Sequence, residues 1–389
     1  MYDFDTILNP DAQAAVEGRN PGYIVRMGVA DMDFRSPPEV TEALIARARK
    51  GWYGYQGMTE DDYDAVRTWS AEHNGQEIPR EHLLATPGVL YTMRACMYAL
   101  TEQGDQVVIA PPLHTPSIRT AELKGRIPVR AQMRRLPDGS YTLDLDMLEK
   151  CFREGARVLL LCSPNNPTGR VLTYDELAGI AELSTRYGVR VVSDEIHRDI
   201  VYPPHRHIPL ATLPGMEEAV TVFSPSKTFN MGGCHIGSAV IADAELRERV
   251  REELYAYGHS CGRPDLFAIT AQTAAYRKGA AWLRELLTYL EGNIGTALEM
   301  LDGLPLRAVR PEGTMLLWVD CEALEMDTAA FWEFMKNRAH IQADPGHYYD
   351  TADIGSYTGP QHHFRMKLAM PRRLLRYALG NLREAVSAL

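Results

Sequence analysis

The 389-residue chain has no apolar run near the roughly 20 residues of a membrane-spanning helix. Its longest runs, such as Val158-Leu159-Leu160-Leu161-Cys162, are far shorter, so no membrane association is expected. Basic residues are in deficit: 41 Lys+Arg stand against 51 Asp+Glu, a net charge of −10. Counterion release needs a basic surface, so nucleic acid and anionic membranes are poor partners. Cysteine is scarce. Cys96, Cys151, Cys162, Cys234, Cys261 and Cys321 form no C-x-x-C pair, which gives no sign of a zinc site or redox motif. They are too sparse for a disulfide scaffold and read as reduced packing thiols of a cytoplasmic protein. His205 and His207, two apart, and His362-His363 lack an evident third ligand, so no metal is expected. The acidic start Met1-Tyr2-Asp3-Phe4-Asp5 has no apolar core of a secretory signal. Repeats and low-complexity stretches are absent.

What is present is an ordinary globular balance, 45% apolar and 24% charged, in a length that suits two domains. Apolar spacing predicts helices over 38–51, 60–75, 87–100 and 173–187. Short runs at 106–110, 157–162, 189–193, 219–223 and 236–241 lack clean alternation, as strands buried on both faces of a parallel sheet do. Strand–helix alternation argues for an α/β fold. Beyond residue 243 helices dominate (243–256, 264–278, 280–303), followed by strands at 314–320 and 363–368 alternating with helices at 327–337 and 371–388. The pattern divides the chain into a large domain over 41–284, a smaller α+β domain over 285–389, and an N-terminal segment, 1–40, that joins the latter.

Four segments sit at ends of expected strands, where open α/β sheets bind ligands. Ser224-Pro225-Ser226-Lys227 offers a lysine that burial would make nucleophilic, although a surface lysine fits as well. Ser193-Asp194-Glu195-Ile196-His197 offers a carboxylate for a cationic nitrogen, or simply a helix cap. Ser163-Pro164-Asn165-Asn166-Pro167-Thr168-Gly169 is a stiff turn carrying amides. Thr86-Pro87-Gly88-Val89-Leu90-Tyr91 opens a helix on glycine, which favours a phosphate. Singly each has an ordinary explanation. Together, in chain order, they fit pyridoxal 5'-phosphate (PLP).

At this point the chain resembles the fold-type I PLP enzymes, the aspartate aminotransferase superfamily, and within it the cystathionine β-lyase-like carbon–sulfur lyase branch. The carrying motifs, besides those above, are Ala30-Asp31-Met32-Asp33-Phe34, Tyr53-Gly54-Tyr55, His207-Ile208-Pro209, Ser226-Lys227-Thr228-Phe229-Asn230 and Phe364-Arg365. The resemblance implies a PLP-transferase-like fold, with a mostly parallel central sheet sandwiched by helices plus a smaller α+β domain. It implies that Lys227 holds the cofactor and moves the Cα proton, that Asp194 pairs with the pyridine nitrogen, and that Asn166, with His197 nearby, holds the ring hydroxyl. Gly88, Val89, Leu90, Ser224 and Ser226 would surround the phosphate. Arg365, helped by backbone around Val29 and Ala30, would clamp the substrate carboxylate. Tyr55 would reach the partner's phosphate in a homodimer.

The chain departs from the branch in four places. His114 stands in Ala110-Pro111-Pro112-Leu113-His114 where a ring-stacking aromatic is usual, and a histidine titrates near neutral pH. It is expected over the cofactor ring or beside the leaving group. Gly232-Gly233-Cys234-His235 is unusual, and His235 is expected to add a hydrogen bond near the phosphate. Cys261-Gly262-Arg263-Pro264 is unusual too, and Lys367 replaces a common asparagine. The resemblance implies β-elimination from an L-cysteine S-conjugate. Its rivals are a class I/II aminotransferase, a specialised biosynthetic lyase or decarboxylating deaminase, and a regulator acting through protein contacts.

Overall fold

A computed structural model describes residues 2–256, 263–350 and 361–389. Its main sheet has seven strands: β1 (Leu83–Thr86), β2 (Gln106–Ile109), β3 (Ile127–Arg130), β4 (Val158–Cys162), β5 (Arg190–Asp194), β6 (Val220–Phe223) and β7 (Gly237–Val240). They lie in the order β1-β7-β6-β5-β4-β2-β3. The neighbours β6-β5-β4-β2-β3 are parallel, and β7 is antiparallel to both β6 and β1. The sheet is mostly parallel and flanked by helices, as the resemblance implies.

The unbroken apolar runs have a packing cause. Along β4, Val158 and Leu160 face one core with Met93 and Met97 of the helix Val89–Leu100, whereas Leu159 and Leu161 face another with Leu177 and Ile180 of the helix Tyr174–Tyr187. Both faces are covered, so neither needs polar residues. Caps set the helix ends: Thr173 and Glu176 form a capping box, and Gly188 closes the same helix in the left-handed conformation, at φ 67°. Two strands of this sheet escape sequence reading. Both β1 and β3 are edge strands of four residues, and β3 carries Pro128, which a central strand would exclude.

A second sheet joins β8 (Arg307–Ala308), β9 (Leu316–Asp320), β10 (Asp344–Pro345) and β11 (His363–Lys367) in the order β8-β9-β11-β10. Its core takes in Phe4, Val25, Met27 and Phe34 from the N-terminal segment with Leu290, Phe364 and Leu375. Ala280–Leu301 is one continuous helix, so the proposed boundary at 284 falls inside it. No helix among the described residues is long and apolar enough to cross a membrane.

Candidate active site

The parallel strands β4, β5 and β6 end side by side and deliver the first three groups. Cys162 pairs with Asp194, and Asp194 with Val222, so the turn after β4, the end of β5 and the loop after β6 lie together. Asn166 sits four residues past β4. Asp194 is the last residue of β5. Lys227 lies on the one-turn helix Pro225–Thr228, capped by Ser224, whose hydroxyl accepts from Ser226 N at 3.1 Å and donates to the Ile236 carbonyl at 2.7 Å. That donor is therefore engaged within the protein, whereas Ser226 lines the cavity.

The cavity holds about 250 Å³. Of the sequence candidates, Ala30, Gly88, Val89, Leu90, His114, Asn166, Asp194, His197, Ser224, Ser226, Lys227 and His235 line it. Sequence reasoning did not single out Tyr91, Ile196 or Cys234, which line it too. Val29 stands outside, 65% exposed, and Tyr55 is 99% exposed on the surface of the single chain. Of the unusual Cys261-Gly262-Arg263-Pro264 string, Cys261 and Gly262 lie outside the described residues.

Arg365 reaches the site from β11. Its Nη1 donates to Asn166 Oδ1 at 2.8 Å, and its Nη2 donates to Asp344 Oδ2 at 2.7 Å and to the Gly28 carbonyl. The first bond orients the amide, because Oδ1 is engaged and Nδ2 is left to donate elsewhere. Tyr349 donates to the same Asp344 oxygen at 2.9 Å. No local pattern marks Asp344, which lies on a two-residue strand and acquires its role only through pairing with β11.

Burial governs the site's charges. It raises the Asp194 carboxyl to about 7, against the hydrogen bond from Ile196 N; Glu195 pushes the same way, and Lys227 opposes. It lowers the Lys227 amine, helped by the Arg365 charge, with Asp31 and Asp194 opposing. It lowers His114 to about 3, with Arg365 and Lys227 adding to the effect, and takes His197 well below its ordinary value. The expectation that His114 titrates near neutral pH is therefore corrected: removed from water beside two cations, its imidazole stays neutral.

His207 resolves differently from a metal ligand. It bonds Glu195 Oε2 at 2.9 Å in a fully buried pair, and His205 lies 3.9 Å from Glu312 instead. Among the described residues no three His, Cys, Asp or Glu side chains gather as metal ligands.

The residues present fit PLP. The buried Asp194 carboxyl at the strand ends makes no ion pair within 4 Å among the described residues. Among the described residues, His197 Nδ1 and Arg365 Nε are buried with no hydrogen-bond partner. Gly88, at φ 132° with open space where a side chain would be, precedes the N-terminus of a 12-residue helix. That is a cradle for a phosphate.

Comparisons with known proteins bear on the family, the fold and the cofactor. A family model for aminotransferase class I and II matches residues 23–382. Cystathionine β-lyase PatB of Bacillus subtilis is 36% identical over 334 residues, covering 85% of this chain and 86% of that protein. A putative cystathionine β-lyase of Mycobacterium tuberculosis is 33% identical over 401 residues, covering 94% of this chain and 93% of its own. The crystal structure of cystalysin from Treponema denticola, which contains a pyridoxal 5'-phosphate cofactor, superposes with a TM-score of 0.91 at 28% identity, covering 100% of this chain and 99% of that one.

Proposed function

The chain belongs to the class I and II aminotransferase family, and within it we propose that the enzyme cleaves an L-cysteine S-conjugate of the cystathionine kind to thiol, pyruvate and ammonia. It is a pyridoxal 5'-phosphate-dependent carbon–sulfur lyase; the substrate and the fate of its amino group are the proposal. One observation carries it: Lys227, Asp194 and Asn166 converge on one cavity, with Arg365 bonded to Asn166 at its edge.

The roles follow from that placement. Arg365, with Nε unpartnered, takes the substrate α-carboxylate, and Asn166 Nδ2 holds the ring oxygen. Asp194 keeps the pyridine nitrogen protonated; its own carboxyl, raised by burial, regains its charge beside that cation. When bound, the cofactor supplies an electron sink for the charge left on Cα. Lys227, an amine depressed by burial, removes the Cα proton and carries it on Nζ. Gly88, the first turn of the helix Val89–Leu100, Ser226 and His235 face the phosphate. The exposed side chains of Trp52, Tyr53 and Tyr55 support a homodimer in which Tyr55 serves the neighbouring site. The buried unpaired thiols Cys96, Cys151, Cys162 and Cys321 suit a reducing cytoplasm.

The test is incubation with L-cystathionine and S-alkyl cysteines, with and without an added 2-oxo acid. Pyruvate and free thiol should appear in equal amounts without the oxo acid. Strict dependence on the oxo acid would overturn release of the amino group as ammonia and favour its transfer.

His114 gives a second expected outcome. As a neutral imidazole it offers an N–H to the departing sulfur and a ring face to the cofactor, but it is not a cationic acid at pH 7. Such a hydrogen bond is worth about 1 kcal/mol, so His114→Phe should lower turnover about tenfold or less. The pH profile should keep its shape, and PLP should stay bound. A fall of two decades or more, the range of about 10²–10⁴ for a general acid, would restore the acid role.

A further inference from the structure

Two motifs that the chemistry above leaves unused, Ala30-Asp31-Met32-Asp33-Phe34 and the tail of Ser226-Lys227-Thr228-Phe229-Asn230, meet in the structure. The residues 27–34 form a strap whose Ala30 lines the cavity, and Lys227 Nζ donates to the Ala30 carbonyl at 2.7 Å. Asn230 commits its whole amide to the strap backbone. Its Oδ1 accepts from Met32 N at 3.1 Å, and its Nδ2 donates to the Met32 and Phe34 carbonyls at 3.0 and 2.8 Å. Asn230 achieves this in the left-handed conformation, φ 53°, which asparagine tolerates better than most residues. From the other side comes β11, whose alternate residues share a face. Arg365 holds Gly28, and two residues on, Lys367 places a nearly fully buried Nζ 2.6 Å from Asp31 Oδ1 and 2.7 Å from Asp33 Oδ1. The Lys367 backbone N–H adds a bond to Met27 O at 2.7 Å. Ala30 is thus held between a lysine tie on Asp31 and Asp33 and an asparagine tie on Met32 and Phe34.

We propose that Asn230 and Lys367 are positioning residues that fix the Ala30 carbonyl as the acceptor for Lys227, and so aim the lysine's lone pair at the substrate Cα. This rests on the reading of Lys227 as the base. A free amine has two N–H bonds and one lone pair, and anchoring one N–H on a fixed carbonyl fixes the rotation about Cε–Nζ. In the transfer the Cα–H bond breaks, its electron pair stays with the carbon, and the proton forms the third N–H bond of an ammonium. The Ala30 oxygen then accepts from a cation, a stronger hydrogen bond than before. These ties act chiefly on the proton's path, through the Ala30 carbonyl; substrate capture belongs chiefly to Arg365, with backbone around Ala30 in the lesser share.

The test uses L-alanine, which has no leaving group. Its Cα–H exchange into D₂O is followed by NMR, and its dissociation constant by the change in the visible spectrum of the holoenzyme. In Lys367→Asn and Asn230→Ala, exchange should fall roughly 10–100-fold, the scale of an ångström-sized misplacement. The dissociation constant should move less than about threefold, half a pKa unit's worth of interaction. Lys367→Arg, which keeps a cation for both aspartates, should recover most of the loss. In the cofactor-free protein, Lys227 of Asn230→Ala, which changes no charge, should react about threefold faster with acetic anhydride at pH 7, because an ammonium without its acceptor loses its proton more readily. If Asn230→Ala does not fold, Asp33→Asn, at a half-exposed side chain, takes its place. Exchange unchanged in the variants, or lost only in proportion to binding, overturns the positioning role. Failure of Lys367→Arg to recover exchange overturns it as well. Absence of exchange in the parent enzyme overturns the reading of Lys227 itself.

Discussion

On the roles proposed for Lys227, Lys227→Ala should abolish turnover, with a loss exceeding about 10⁴-fold, because one substitution would remove both the cofactor's covalent tether and the base. Borohydride treatment of the parent holoenzyme should leave the cofactor on the peptide containing Lys227, and the variant should give no such adduct. Labelling on another lysine would overturn the assignment. The same variant tests subunit sharing. Mixed with the inactive Tyr55→Ala variant under conditions of subunit exchange, it should regain activity, since one hybrid site then holds both an intact Lys227 and the partner's intact aromatic. Restoration is expected on the proposed dimer, in which Tyr55, 99% exposed in the single chain, serves the neighbouring site. No restoration after verified exchange would leave Tyr55 a surface residue.

Asp194→Asn should cost roughly 10²–10³-fold in Cα–H exchange. A carboxylate about 4 Å from a pyridinium is worth about 4 kcal/mol at an effective dielectric constant near 20, and an amide forgoes most of it. The substitution has an opposite effect on the cofactor-free protein. Burial raises the Asp194 carboxyl to about 7 in the folded chain, so the folded state binds this proton more tightly than the unfolded one. Stability from this group is therefore full below the ordinary carboxyl range and falls as pH rises to about 7, by roughly 4 kcal/mol in all. Urea unfolding of the cofactor-free protein should show a decline between pH 4 and 7 that Asp194→Asn largely removes. At pH 8 the variant should be the more stable. Equal pH dependence in both proteins would mean that Asp194 is not the buried group responsible.

That Lys227, Asp194 and Asn166 meet at one cavity was legible, because each lies within a few residues of an apolar strand end, and a parallel sheet carries its ligands at those ends. Gly88 was legible for a similar local reason, a glycine directly before a helix. The edge strands β1 and β3 were not legible, since short edges with one hydrogen-bonding neighbour need neither length nor a β-branched run. Lys367 was noticeable only as an odd residue.

The sequence alone settled the cofactor chemistry, because strand, turn and motif are local and their order along the chain is their order around the site. The fold settled what depends on contacts between distant segments. Asp344 and Arg365 pair across adjacent strands of the second sheet. Lys367 finds Asp31 and Asp33 more than 330 residues away. The charge state of His114 was likewise undetermined until its surroundings were in place. A histidine's proton depends on how much water and which charges surround it, and burial beside Lys227 and Arg365 makes it neutral.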